Sequence, residues 1–211
     1  MMNAQTLAPT HIEVVNFTPL DDNVDITLRY RTGYERLRNR GLDMIAFIEN
    51  DDYYHPQYLE YMVNEWMLHG KPELLGPNRS IYYHLGIRKY LTMIHYSRAS
   101  ACNTLIKPDL ENIPWGEDNN PYTDLQLWTY LPGLKRTFQP DAIYSIGIKH
   151  GIGKVGGPRH TDRLEKYNPQ GNDMDAHKKD DPHFEWLQAN MDAESFQFYS
   201  TLELPIYDTS V

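Results

Sequence analysis

IAFIENDDYYHP, Ile45 to Pro56, passes from apolar to acidic to aromatic residues within one short run. Apolar alternation stops at Glu49, so a strand must end there, and Glu49, Asp51 and Asp52 then project from the strand end. Glu49 and Asp51 are two residues apart and would share a side in extended backbone, with Asp52 following in the turn. Hard oxygen donors of this kind suit Mn²⁺ or Mg²⁺, and an ion held by them can bridge the oxygens of a diphosphate. The plainer reading is a solvated acidic turn favoured by the positive end of the next helix. His55-Pro56 and the amphipathic run from Tyr58 set the turn between a buried strand and a packed helix, which moves the reading toward a metal site.

Two further groups carry chemistry-bearing side chains. In SIGIKHGIGKVGG the glycines permit close backbone approach to phosphate oxygens. His150 is a candidate third metal ligand, and Lys154 a candidate to reach the diphosphate and offset the charge of a leaving group. As one of nine histidines, His150 is otherwise a surface or packed residue. WGEDNNPYTDLQLWTYL offers Glu117, Asp118 and Asp124 as second carboxylates; the plain reading of Asp124 is an acid at a helix N-terminus.

These residues need elements to hold them. β-Branched or apolar runs bounded by turn residues predict strands at His11–Phe17, Asp25–Tyr30, Met44–Ile48, Ser80–His84 and Ala142–Ile148. Helical spacing predicts helices at Tyr34–Leu42, Tyr58–His69 and Asp124–Leu131, the last with Thr123 as N-cap and Pro132-Gly133 as its stop, and a weaker one at Leu85–Met93. Ala99–Ile106 reads as a further strand. Strands separated by helices imply an α/β fold, a single Rossmann-like mixed sheet with helices on both faces, whose ligands bind beyond the carboxyl ends of the strands. Residues 1–160 form the expected core. Residues 161–211 are expected to be a mobile loop, the polar Asn168–Asp181, and a C-terminal helical segment, Phe184 to Leu204, packing back on it.

Composition bounds the partners. At 211 residues the chain suits one sizeable core. A formal net charge of −9 argues against a broad nucleic-acid surface, so no nucleic-acid partner is expected, and an anionic ligand needs a metal or a local basic patch. Cys102 is the only cysteine; it excludes an intrachain disulfide, reads as a small buried hydrophobe and fits a reducing compartment. No run approaches a membrane span. A soluble cytoplasmic protein is the expectation.

GLDMIAFIENDDYYHPQYLEYMV resembles the core of inverting GT-A glycosyltransferases of family 2, in which a strand ends in an Asp-x-Asp type motif followed by Pro and an amphipathic helix. The resemblance runs from about Arg31 to Leu131. It implies that Asp51 is the metal ligand, with Glu49 in place of the first Asp, and that Asp52 is a supporting or donor-sugar contact. RTGYERLRNRGLD resembles the helix that contributes to the nucleotide pocket, which makes Arg31, Arg36, Arg38 and Asn39 donor-binding candidates, Arg38 foremost. TDLQLW fits the family's acidic pair followed by Leu-Trp, with Thr123 for the usual Glu, so Asp124 is implied as the base and Asp118 as its rival. Ser100 and Asn103 fall where the acceptor side is lined. The implied activity is metal-dependent transfer of a sugar from a nucleoside diphosphate donor, a UDP-sugar first among them, to a glycan or glycoprotein hydroxyl with inversion.

Compact domains of this kind also resemble glycosyltransferases that large algal viruses encode for glycosylating their capsid protein, sometimes beside other domains of a longer chain; the setting would then be the host cytoplasm. Two other readings stay open. One is a metal-dependent nucleotidyltransferase or phosphohydrolase, which needs carboxylates enough for two ions. The other is a non-catalytic nucleotide- or carbohydrate-binding module, consistent with 16 tyrosines.

Overall fold

The computed structural model describes residues 2–16, 18, 24–151 and 174–204. In chain order its helices and strands are α1 (Ile26–Leu37), β1 (Ile45–Ala46), β2 (Tyr53–Tyr54), α2 (Tyr58–Leu68), β3 (Leu74–Pro77), β4 (Arg79–His84), β5 (Lys89–His95), β6 (Leu105–Ile106), α3 (Thr123–Tyr130), β7 (Lys135–Phe138), β8 (Ser145–Lys149), β9 (Met174–Asp180), α4 (Glu185–Ala189) and α5 (Ala193–Ser200).

The strands form two separate mixed sheets, which overturns the expected single Rossmann-like sheet. The first has spatial order β1-β6-β3-β7, and the second β2-β8-β4-β5-β9. In the first, β6 runs antiparallel to β1 and β3, while β3 and β7 are parallel. In the second, only β4 and β8 are parallel. The chain leaves the first sheet three times, at the acidic turn between β1 and β2, at Asn78 between β3 and β4, and between β7 and β8. Each crossing begins a new pairing, so apolar runs that look like neighbours along the sequence belong to different layers.

Side-chain alternation explains how both sheets are covered. Leu74 and Ile106 point toward Tyr34, Trp115, Leu127 and Trp128, so α1 and α3 cover one face of the first sheet. Leu75 and Leu105 point the other way, onto Tyr58, Met62 and Trp66 of α2. Burial on both faces is why LL and LI are continuous apolar pairs rather than alternating ones. Tyr53 and Tyr54 repeat the pattern at the crossing: Tyr54 joins the α2 core, and Tyr53 joins Ile146, Ile148, Leu187 and Tyr199 beneath α4 and α5. Close approach at Gly76 seals the first sheet, because a Cβ there would collide with the Ala99 Cβ and lie 2.8 Å from the Asn103 carbonyl oxygen.

Several local expectations change. Asp25–Tyr30 is not a strand; Thr27, Tyr30 and Tyr34 are buried at helical spacing, and the segment belongs to α1. The β-branched residues in VDITLRY conceal that period. Leu85–Met93 contributes the strand β5 rather than a helix, paired with β4 across a turn in which Arg88 takes φ 51°. Residues 11–16 form no strand. Within the polar stretch expected as a loop, β9 pairs along β5 from Met174 to Asp180. His177 to Asp180 are exposed, so an edge strand held by backbone hydrogen bonds carries no apolar alternation to read. Helices α2 and α3 lie where their spacing predicts, although Tyr122 rather than Thr123 is the N-cap of α3. No helix among the described residues is long and apolar enough to cross a membrane.

Candidate metal and diphosphate site

The acidic turn spans the gap between the two sheets, from edge strand β1 to edge strand β2. Antiparallel pairing of β2 with β8, Tyr53 opposite Ile146, brings the end of β8 alongside the turn. Asp51 and Asp52 thereby meet Lys149 and His150 in two layers. In the outer layer, Asp51 Oδ2 lies 3.0 Å from His150 Nε2, with side chains 41% and 21% exposed. In the inner layer, Asp52 Oδ1 accepts a hydrogen bond from the Ile148 N–H at 2.8 Å and stands 4.0 Å from Lys149 Nζ, both side chains buried.

Glu49 belongs with the inner layer. Its carboxylate accepts a hydrogen bond from the Tyr30 hydroxyl at 2.8 Å, and its N–H donates to the Tyr54 hydroxyl at 3.0 Å. The Tyr54 hydroxyl in turn donates to the Cys102 carbonyl oxygen at 3.1 Å. Among the described residues, one group of three His, Cys, Asp or Glu side chains has ligand atoms all within 4.8 Å of one another: Glu49, Asp52 and Cys102. The expected trio of Glu49, Asp51 and His150 does not converge to that degree; Asp51 and His150 meet each other, and Glu49 turns inward.

Electrostatics follow the layering. Burial and the nearby Glu49 push the Asp52 carboxyl well above the usual carboxylate range, against the opposing pull of Lys149 and the Ile148 N–H. Burial works against the charge of Lys149, but Asp52, Glu49, Cys102 and Asp51 outweigh it and hold the ammonium above its ordinary value. Burial, then Glu49 and Asp52, push the Cys102 thiol up. Tyr30 is raised by burial and by the Glu49 carboxylate it donates to. The inner layer is a closed set of mutually dependent charges.

Asp124 sits in the first turn of α3. Its Oδ2 is ion-paired with Arg98 Nη1, both side chains largely buried. Thr123 Oγ1 meets Thr27 Oγ1, which ties the start of α3 to α1. The rival acid, Asp118, is ion-paired with Arg31 at 2.6 Å on the surface. Cys102 lies within electrostatic reach of Glu49, Asp52, Lys149 and Asp124 alike, as Tyr82 does of Glu49 and Asp124, so the two acidic groups border one neighbourhood.

The remaining candidates fall elsewhere. Arg38 caps the end of α1, contacts Glu35 at 3.2 Å and donates to the Leu110 carbonyl oxygen at 3.0 Å. It lies eight positions beyond Tyr30, about 12 Å along the axis. Ser100 hydrogen bonds with the hydroxyls of Ser80 and Tyr82, and Asn103 accepts from Ser145; both are buried. Lys154 lies outside the described residues.

Sequence reasoning missed Arg98, Tyr30 and Tyr199. Tyr199 of α5 donates from its hydroxyl to the Asp51 carbonyl oxygen at 3.2 Å, across 148 positions of sequence. No local pattern announces such a contact. The helical spacing of Tyr30 with Tyr34 was a signal, hidden by the strand reading of that segment.

A scan of protein-family models, a search of curated proteins and a search of solved structures each return no match for this chain. A carboxylate oxygen and an imidazole nitrogen 3.0 Å apart, partly exposed, can share one Mn²⁺ or Mg²⁺ ion and leave positions for phosphate oxygens. The outer pair therefore fits the ion that the sequence implies.

Proposed function

We propose that this chain is a metal-dependent glycosyltransferase that moves a sugar from a nucleoside diphosphate donor, a UDP-sugar first, to a glycan or glycoprotein hydroxyl with inversion, related in sequence to the inverting family 2 enzymes. The observation that carries the reading is the outer pair: Asp51 and His150, 99 residues apart in sequence, meet at the mouth of the crossing between the sheets. Asp51 and His150 would hold the ion, whose chemistry there is to neutralise the diphosphate as it departs. The reading puts the enzyme in the cytoplasm, of a host cell if the chain is viral.

This chain's own residues supply the rest. Asp124 accepts the proton of the acceptor hydroxyl as that oxygen bonds to the anomeric carbon; the bond from this carbon to the diphosphate oxygen breaks, and the nucleoside diphosphate leaves. Arg98 fixes the orientation of the Asp124 carboxylate by engaging Oδ2, while a carboxylate has lone pairs enough for a second donor. Lys149 is too buried to meet the donor, so cationic help for the diphosphate must come from the outer surface.

The test is donor hydrolysis and transfer with a panel of nucleoside diphosphate sugars and Mn²⁺. Asp124→Asn is expected to lower turnover by roughly 10²–10⁴-fold, the usual contribution of a positioned base, with donor binding retained. Asp51→Asn is expected to abolish the Mn²⁺ dependence of donor binding. Full turnover in both variants would sink the assignment. A second reading, a non-catalytic nucleotide-binding module, is favoured by the Arg98 ion pair that already engages Asp124; it predicts Mn²⁺-dependent donor binding with no turnover.

A further inference from the structure

The inner layer has the composition of a cation site and already contains a cation. Glu49, Asp52 and Cys102 bring two oxygens and a sulfur within 4.8 Å of one another, a separation that ligand atoms about a single ion would have at bond lengths of ~2.0–2.6 Å. The Lys149 side chain is only 7% exposed, with its ammonium 4.0 Å from Asp52. A buried charge persists only beside compensating groups, and Glu49, Asp51 and Asp52 are those groups. The buried Tyr58 hydroxyl has no hydrogen-bond partner among the described residues and lies within electrostatic reach of Cys102 and Asp52.

We propose that Glu49, Asp52 and Cys102 form a second cation site, separate from the outer Asp51–His150 pair, and that Lys149 is its resident cation. The ammonium takes the inner place a divalent ion would otherwise occupy, so an incoming ion finds only the outer pair. Lys149 is on this account a positioning residue: it ties the start of β2 to the end of β8 at the positions next to Asp51 and His150. The inference rests on the proposed function only for what binds at the outer pair. A mixed oxygen and sulfur donor set freed of its ammonium would select a thiophilic divalent ion such as Cd²⁺ or Zn²⁺ over Mg²⁺.

Cys102 is the only thiol in the chain, which makes the ultraviolet thiolate-to-cadmium charge-transfer band a reporter of this one site. Titrating the unaltered protein with Cd²⁺ is expected to give no such band. Lys149→Met is expected to gain the band at one equivalent of Cd²⁺, and to lose it again when combined with Cys102→Ser. A band in the unaltered protein, or none in a folded Lys149→Met variant, would overturn the proposal. Lys149→Gln is the second variant should Lys149→Met not fold. If neither folds alone, refolding in Cd²⁺ decides the matter, recovery supporting the inner site and failure overturning it. Mn²⁺ binding to the unaltered protein and its loss in Asp51→Asn are read separately; absence of Mn²⁺ binding counts against the proposed glycosyl transfer and leaves the Cd²⁺ outcomes unaffected.

Discussion

Asp51 and Asp52 are adjacent in sequence and opposite in environment. Asp51 is 41% exposed and meets a histidine; Asp52 is 2% exposed and meets a lysine and a backbone N–H. The turn between the sheets directs one carboxylate outward and the next inward, just as Tyr53 and Tyr54 enter different cores. The difference separates two uses of the same chemical group. An exposed carboxylate costs little to hold ready for a ligand, whereas a buried one is tolerable only with its partners in place, and so becomes part of the framework.

The largest test of that division is Asp52→Ala. It leaves the Lys149 ammonium buried without its nearest partner and is expected to cost about 3–5 kcal/mol, the range for breaking a buried pair, measured by urea denaturation. A loss under about 1 kcal/mol would mean that the inner layer is not framework. Smaller is Tyr199→Phe, which removes the hydroxyl that α5 sets on the Asp51 carbonyl oxygen. We expect about 0.5–1.5 kcal/mol, together with faster amide exchange in α5; no change in either would separate the C-terminal helix from the turn.

Smaller still is Asp51→Asn, expected to change stability by no more than about 0.5 kcal/mol, since its partner is partly exposed. A drop as large as that of Asp52→Ala would erase the distinction between the layers. The mildest effect concerns acid. Burial works against the charges of Glu73 and Asp192. Yet Lys107 and the Leu134 N–H hold Glu73 below the usual carboxylate range, and the N–H and hydroxyl of Ser195 do the same for Asp192. Values lower in the folded than in the unfolded chain contribute stability above about pH 4–5 that is lost as pH falls through the folded values. Paired Glu73→Gln and Asp192→Asn substitutions should flatten the fall in stability between about pH 5 and pH 3, read as the melting temperature at each pH.

Legibility in the sequence tracked how local the cause was. Tyr58–Leu68 and Thr123–Tyr130 could be read because apolar residues at helical spacing face one core each. Ile26–Leu37 was misread because Ile26 and Thr27 suggest a strand, although Tyr30 and Tyr34 keep the helical period. Met174–Asp180 was invisible because MDAHKKD carries no apolar alternation in sequence, while its pairing runs along the backbone of β5. At the site, the acidic turn was conspicuous from its place after an apolar run, whereas Arg98 beside Asp124 and Tyr199 above Asp51 depend on contacts across 26 and 148 positions.

By itself the sequence determined that an apolar strand is followed closely by a run of carboxylates and that a helix facing a core begins at Tyr58, because spacing and residue type act over a few positions; the expected strand end at Glu49 falls instead at Ala46. Only the tertiary structure decided that the strands divide into two sheets, that the acidic turn joins them, and which carboxylate faces solvent. The reason is pairing. Strand partners are chosen across the whole chain, and one step of register at β2 exchanges the inner aspartate for the outer.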